Sequence, residues 1–312
     1  MFNFESSTTK KVVPVLITCD VDPAYEISYQ NRKYSIQLVA GLFEQFKIKS
    51  TFFFVAEPAE SYSQEIHELV SKHHEIACHG LTHDYKEDYN IMAEDNQRTN
   101  LILATKKLQN LAGSPIKSFR GPQVKTSHLT QKILEELNYS VDCSVCSQRI
   151  DLISSNLVNT GWILAPRLPY HPSKISPFKR GARKILVVPI SALIFPFISG
   201  TLYLFGITFM KHFFNVLYFE SRRTGKPIVY LLHPTEFVKT TEKDSYKPSL
   251  KKVRADGFYF RKRLKNIIDE KQRFQHTLRL FEHIRKFPDV EFITLNEYIA
   301  KRQSNSPRPA PK

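Results

Sequence analysis

The sequence predicts an α/β protein built on a mostly parallel, barrel-like sheet in one continuous domain. Three observations carry that expectation. Apolar runs alternate with longer amphipathic stretches, ionisable side chains close several of the apolar runs, and no internal repeat or linker interrupts the order. With 312 residues, 42% hydrophobic and 24% charged, the chain has the size and composition of a folded globular protein.

The first strand spans Val12 to Cys19, and Leu38, Leu42, Phe43 and Phe46 give Tyr34 to Phe46 helical spacing. STFFFV (Ser50 to Val55) is a second strand, Gln64 to Lys72 a helix and Glu75 to Cys78 a third strand. A longer helix follows from about Ala93 to Ala112, then a strand at Ile116 to Phe119. Next come a helix from Ser127 to Leu137 and a strand at Tyr139 to Cys143. Asp151 to Arg183 is irregular and proline-rich. Strand character returns at Lys184 to Ile190 and at Pro227 to Leu232, with helix between them from about Thr208 to Arg222. A last helix from about Gln272 to Phe287 precedes a strand at Val290 to Thr294.

The formal charge of +15 favours anionic partners such as a phosphate-bearing substrate or an anionic membrane surface. Much of it lies in KPSLKKVRADGFYFRKRLK (Lys247 to Lys265) and HIRKF (His283 to Phe287); a solvated basic face is the alternative. Neither a zinc-finger spacing nor an aromatic ribonucleoprotein box is present, so nucleic acid is not an expected partner. MFNFESSTTKK has no apolar core of a signal peptide, and Cys19, Cys78, Cys143 and Cys146 form no secreted disulfide framework. The lone C-x-x-C of Cys143 and Cys146 reads as a buried or reduced pair, and a cytoplasmic setting is expected. Between Lys184 and Lys211 lie 26 uncharged residues, broken by Pro189, Pro196 and Gly200. They read as a buried strand, a loop and a helix start rather than a membrane span, with peripheral lipid contact as the alternative.

Asp20 and Asp22 close VPVLITCDVD, and His79 and His83 close HEIACHGLTH. One carboxylate and two imidazoles are the ligand types of a catalytic zinc-like site that keeps a position open for water. A second acid beside it is placed to take a proton from that water, which points to metal-assisted hydrolysis. Arg120 and His233 also stand at predicted strand ends, where βα loops gather catalytic side chains. His67, His73 and His74 lack such a setting and read as surface residues.

Taken in order, Thr18-Cys19-Asp20-Val21-Asp22, His79-Gly80-Leu81-Thr82-His83, Phe119-Arg120-Gly121-Pro122-Gln123, Tyr139-Ser140-Val141-Asp142-Cys143-Ser144 and Leu231-Leu232-His233 resemble motifs of the polysaccharide deacetylase (NodB-homology) family. That family is grouped with carbohydrate esterase family 4, and the inserted Val21 is similar to its D-x-D subgroup. The late EFITLNEY resembles the family's closing strand and helix. The resemblance implies a single-domain distorted (β/α)7-type barrel over residues 1–302, followed by a disordered basic, proline-rich tail at 303–312. It implies Asp20 as general base, paired with Arg120, and His233 as general acid. Asp22, His79 and His83 become the ligands of one divalent ion, zinc by default, with cobalt, nickel or iron also suited. Asp142, Arg167 and Tyr170 fall where relatives place groove residues, and the backbone N–H of Tyr170 is the implied oxyanion donor. Two departures stand out: Gln123 replaces the family's usual residue after the proline, and Trp162 lies outside the family's tryptophan motif.

The implied reaction removes an N-acyl group, by default N-acetyl, from an amino sugar of a glycan or a lipid-linked glycan precursor. An amidase opening small cyclic imides or ureides is the alternative enzyme. A catalytically silent carbohydrate- or membrane-binding relative is a third reading, against which the presence of both Asp20 and His233 weighs. Homo-oligomerisation stays open.

Overall fold

A computed structural model describes residues 12–148, 161–240 and 267–304. The basic run Lys247 to Lys265, part of the irregular stretch after Asp151 and nearly all of the tail lie outside the described residues. The strands are β1 (Val13–Val21), β2 (Ser50–Phe54), β3 (Glu75–Cys78), β4 (Ser118–Phe119), β5 (Val141–Asp142), β6 (Leu186–Val187), β7 (Ala192–Leu193), β8 (Phe195–Pro196), β9 (Ile228–Leu232) and β10 (Val290–Phe292). The helices are α1 (Tyr29–Gln45), α2 (Ser63–Ser71), α3 (Glu94–Ala112), α4 (His128–Glu136), α5 (Gly161–Leu164), α6 (Ser199–Thr224), α7 (Glu270–Ile284) and α8 (Leu295–Ser304).

The nine-residue β1, almost wholly buried, is the axis of the sheet. Parallel pairing runs from it through β2, β3, β4 and β5 to β6, with β9 on its other edge. Val15 is partnered by both Ile228 and Phe292, so β10 shares the β2 edge at the beginning of β1. Past β6 the chain crosses to β9: Ser191 N–H donates to Val229 O at 3.2 Å, and Ile198 bridges Leu231. Seven strands, β1 to β6 and β9, therefore curl into a ring, distorted where β4, β5 and β6 are only two residues long. This is the barrel the sequence predicts.

Strand periodicity sorts the side chains. Leu16, Phe53, Ala77 and Val229 share one buried cluster on the inner face; Val15, Ile17, Phe52, Phe54 and Tyr230 pack outward under the helices. Burying each phenylalanine of STFFFV contributes about 1.5–3 kcal/mol, which makes a slip in register costly.

β4, β5 and β6 are shorter than expected, and two helix starts differ most. Helix α1 starts at Tyr29, where Ser28 Oγ accepts from Asn31 N and caps it. Helix α6 starts at Ser199 and breaks at Gly206, whose φ of 77° leaves the helical region. The uncharged segment 185–210 becomes β6, the antiparallel β7–β8 hairpin and the first turns of α6. By length and composition α6 could cross a membrane, but Met210, Phe213, Phe214 and Leu217 are buried in the core. His74, expected at the surface, is buried: it accepts Ser50 N–H at 3.2 Å and packs on Phe43 and Phe52. His67 and His73 are exposed.

Candidate active site

The register that sorts the core also builds the site. Asp20 and Asp22 continue the inner-facing series of Leu16 and Thr18 along β1. His79 continues that of Ala77 beyond β3, and His233 that of Val229 and Leu231 beyond β9. All stand at the carboxyl ends of parallel strands, so the curl of the sheet turns them toward one another.

Asp20 is held by Arg120, a fully buried side chain that donates from Nη1 to Oδ1 at 2.6 Å. The same guanidinium reaches Thr18 Oγ1 at 3.0 Å, Cys143 O at 3.2 Å and Cys143 Sγ at 3.1 Å, and lies 4.3 Å from the Phe53 ring centroid. Burial works against its charge, but the Asp20 carboxylate and Cys143 outweigh that and push its pKa upward. A planar cation locked on five sides aims one carboxylate oxygen and leaves Oδ2 free, 3.8 Å from His79 Nε2. Gly121 lets the chain turn tightly beside it, since a Cβ there would fall 1.9 Å from Lys125 O.

The segment between His79 and His83 is an irregular loop, not a helical turn. Buried Glu87 organises it, accepting backbone N–H groups of Leu81 (2.7 Å), Thr82 (2.7 Å) and His83 (2.8 Å), and the Tyr89 hydroxyl (2.8 Å). Gly80 has φ 80°, and a Cβ would sit 2.9 Å from both Glu87 Oε1 and Pro122 Cγ. His83 also adopts a left-handed φ of 58°. His79 Nδ1 donates to Arg120 O at 2.6 Å, which presents Nε2 to the site.

Asp22 Oδ1 lies 3.3 Å from His79 Nε2 and 3.5 Å from His83 Nε2, and it is buried with no hydrogen-bond donor. Its pKa is well below the usual carboxylate range: burial raises it, but His83, His79 and His233 overcome that. Among the described residues, Asp22, His79 and His83 are the cluster whose ligand atoms all fall within 4.8 Å of one another. An orphaned carboxylate oxygen between two imidazole nitrogens fits a divalent cation with nitrogen and oxygen ligands.

His233 Nε2 lies 3.7 Å from Asp22 Oδ2, and its side chain is 31% exposed. Nδ1 is hydrogen-bonded to Glu236 Oε1 at 3.1 Å. Glu236 is gripped in turn by Ser199 Oγ (2.8 Å) and Tyr203 OH (3.0 Å), both from α6. Burial disfavours the imidazolium, but Glu236 and Asp22 outweigh it and lift the His233 pKa to about 9.

The remaining sequence candidates stand elsewhere. Asp142 pairs with Phe119 in register, so it faces the helices, where it accepts from Thr126 Oγ1, Gln131 Nε2 and Ser144 N. It touches the site through a relay: Ser144 Oγ accepts Gly121 N–H next to Arg120. Tyr170 exchanges both backbone hydrogen bonds with Val187, its N–H donating at 3.1 Å, so that N–H is already engaged rather than presented to an oxyanion. Its hydroxyl donates to Pro177 O. Arg167 binds Glu220 (Nε to Oε1, 3.0 Å), Ala192 O and Gln148; Glu220 also binds Lys226, just ahead of β9, so this cluster lies at the amino end of that strand, away from His233. Gln123 is half-buried with φ 57°. All four cysteines are free and buried.

Two working residues escaped the sequence reading. Glu236 carried a signal, because His-Pro-Thr-Glu has proline at the first helical position and glutamate two later, the form of a capping box. Glu87 carried none, sitting in the charged run DYKED, which reads as solvated loop.

A family model described as polysaccharide deacetylase matches residues 7–141. Among solved structures, a putative polysaccharide deacetylase from Mycobacterium smegmatis aligns over 98% of this chain and 96% of its own, with TM-score 0.61 and 15% identity. Puue allantoinase aligns over 96% and 94%, with TM-score 0.61 and 17% identity. A probable polysaccharide deacetylase from Pseudomonas aeruginosa PAO1 aligns over 96% and 93%, with TM-score 0.61 and 15% identity. At these identities the likeness is one of fold. No curated protein matches.

Proposed function

We propose that this chain, whose residues 7–141 match the polysaccharide deacetylase family model, hydrolyses an N-acyl, by default N-acetyl, group from an amino sugar. The observation that carries this reading is the convergence of Asp22, His79 and His83 between an arginine-held Asp20 and a glutamate-held His233. A divalent cation held by Asp22, His79 and His83, with zinc, cobalt, nickel or iron all suited, supplies a Lewis acid for the acyl oxygen and a more acidic water.

The chain's own groups do the rest. Asp20, with Oδ1 tied to Arg120, takes the water proton on Oδ2. The new carbon–oxygen bond forms from that water, and the carbon–nitrogen bond breaks. His233 delivers its Nε2 proton to the departing nitrogen, because Glu236 holds Nδ1; acetate and a free amine leave. Glu87 keeps the His79–His83 loop from relaxing between turnovers.

A lipid-linked amino sugar handled at the cytoplasmic face is the finer form of the proposal. The +15 charge, the uncharged 185–210 segment and the four free, buried cysteines support it. Because Puue allantoinase matches this fold as well as the deacetylases do, the fold leaves the cyclic-imide reading to experiment. The test is metal analysis of purified protein together with acetate release from N-acetylglucosamine oligomers and turnover of cyclic imides. Bound divalent metal, and acetate release that chelation abolishes and metal restores, is the expected result. Full activity without metal, or turnover of imides alone, would overturn the proposal.

A further inference from the structure

Helix α6 has a second face that the barrel does not use. Beyond Gly206, His212, Val216 and Phe219 recur at helical spacing on the side away from the core, next to the partly buried Phe209; Val216 is 53% and Phe219 59% exposed. Phe205, just before the break, lies 4.8 Å from Phe209 and 4.8 Å from Phe195 of the β7–β8 hairpin. The tip of that hairpin is Ile194, 57% exposed with φ 64°. A β-branched residue in left-handed backbone is costly where glycine or asparagine would sit without strain, so an apolar side chain is kept there against the backbone's preference.

Basic residues outnumber acids along this face. Lys211, Arg222 and Arg223 belong to α6, whose acid, Glu220, is tied to Arg167 and Lys226. Arg222 pairs with Asp289 at 3.4 Å and stays half exposed.

We infer that the outer face of α6 and the β7–β8 tip form a docking surface for an anionic lipid bilayer. The helix lies in the plane of the interface, with Ile194, Phe205, Val216 and Phe219 at the acyl boundary and the basic residues against lipid phosphates. It cannot span, because Phe213, Phe214 and Leu217 on its other side are buried in the protein. Ser199 and Tyr203, in the first turns of the same helix, hold Glu236 behind His233, so one element joins the docked face to the site. The surface deepens the lipid-linked form of the proposed function, yet its test reads binding without turnover, so either can fail alone.

The experiment is co-sedimentation of the full chain with vesicles of phosphatidylcholine alone or of phosphatidylcholine mixed with phosphatidylglycerol. Binding to the mixed vesicles should be about tenfold or more tighter than to neutral ones, and should weaken with salt. The combined variant Ile194→Asn, Val216→Gln, Phe219→Gln should lose about tenfold or more of that binding. It should keep its melting temperature and its activity on a water-soluble substrate. The inference is overturned if the wild type ignores both vesicles or if the variant binds as well as wild type. A self-association at this face that the variant dissolves, with vesicle binding unchanged, would overturn it too.

Discussion

Strand β3 has a histidine at each end, and the two meet opposite fates. At its amino end His74 accepts Ser50 N–H among aromatic rings, while Glu75 accepts from Thr51 Oγ1 (2.9 Å), Ser118 Oγ (2.6 Å) and Asn296 N (2.9 Å). Burial drives both toward their neutral forms: the Glu75 pKa rises, and that of His74 falls to about 4. Burial acts in the same direction at the carboxyl end, yet there it loses. Asp22 is held far below its ordinary value, and His79 and His233 are lifted, because each faces an opposite charge: His83, His79 and His233 for Asp22, Asp20 and Asp22 for His79, and Glu236 and then Asp22 for His233. Enclosure by itself silences an ionisable group. Convergence keeps it charged and able to move protons.

The comparison breaks most sharply at Asp20. Asp20→Asn should lower kcat by about 10²–10⁴-fold while metal content, measured on the purified variant, stays intact. Next comes Arg120→Met, which leaves a buried carboxylate without its cation. A loss of about 3–5 kcal/mol in urea unfolding is expected, and a change under 1 kcal/mol would show that the pair is not what keeps that end charged. Glu87→Gln should loosen the metal-facing loop and weaken metal binding about 10–100-fold, read by chelator competition.

The amino end supplies the pH arm. His74 binds a proton at about pH 4 folded and near 6.5 unfolded, so between those values the unfolded chain takes up more protons. Its contribution is present above pH 6.5 and is lost as pH falls through 4. His74→Asn keeps an acceptor for Ser50 N–H without titrating, so wild type should lose about 2 kcal/mol more than the variant between pH 7 and 5. Smallest is Glu236→Gln, which keeps a hydrogen bond to His233 but removes the charge. Roughly tenfold in kcat with KM unchanged is expected, with Glu236→Asp restoring part of it.

Much of this contrast was legible beforehand. The strand ends bearing Asp20, Asp22, His79, Arg120 and His233 follow from local apolar runs, and period two assigns their facing. His74 reads as exposed in the sequence because the run before β3 is polar, HELVSKHHE, and only packing against α1 and β2 encloses it. Arg167 and Tyr170 were placed by resemblance, and the structure engages the first with Glu220 and the second with Val187.

By itself, then, the sequence determined the strands and which ionisable residues close them, since burial of an apolar run is a property of neighbouring residues. Tertiary structure alone decided who meets whom. Arg120 finds Asp20 across 100 positions, and Tyr203 finds Glu236 across 33. Such pairings depend on how far the sheet curls and where α6 returns, and no local pattern records either.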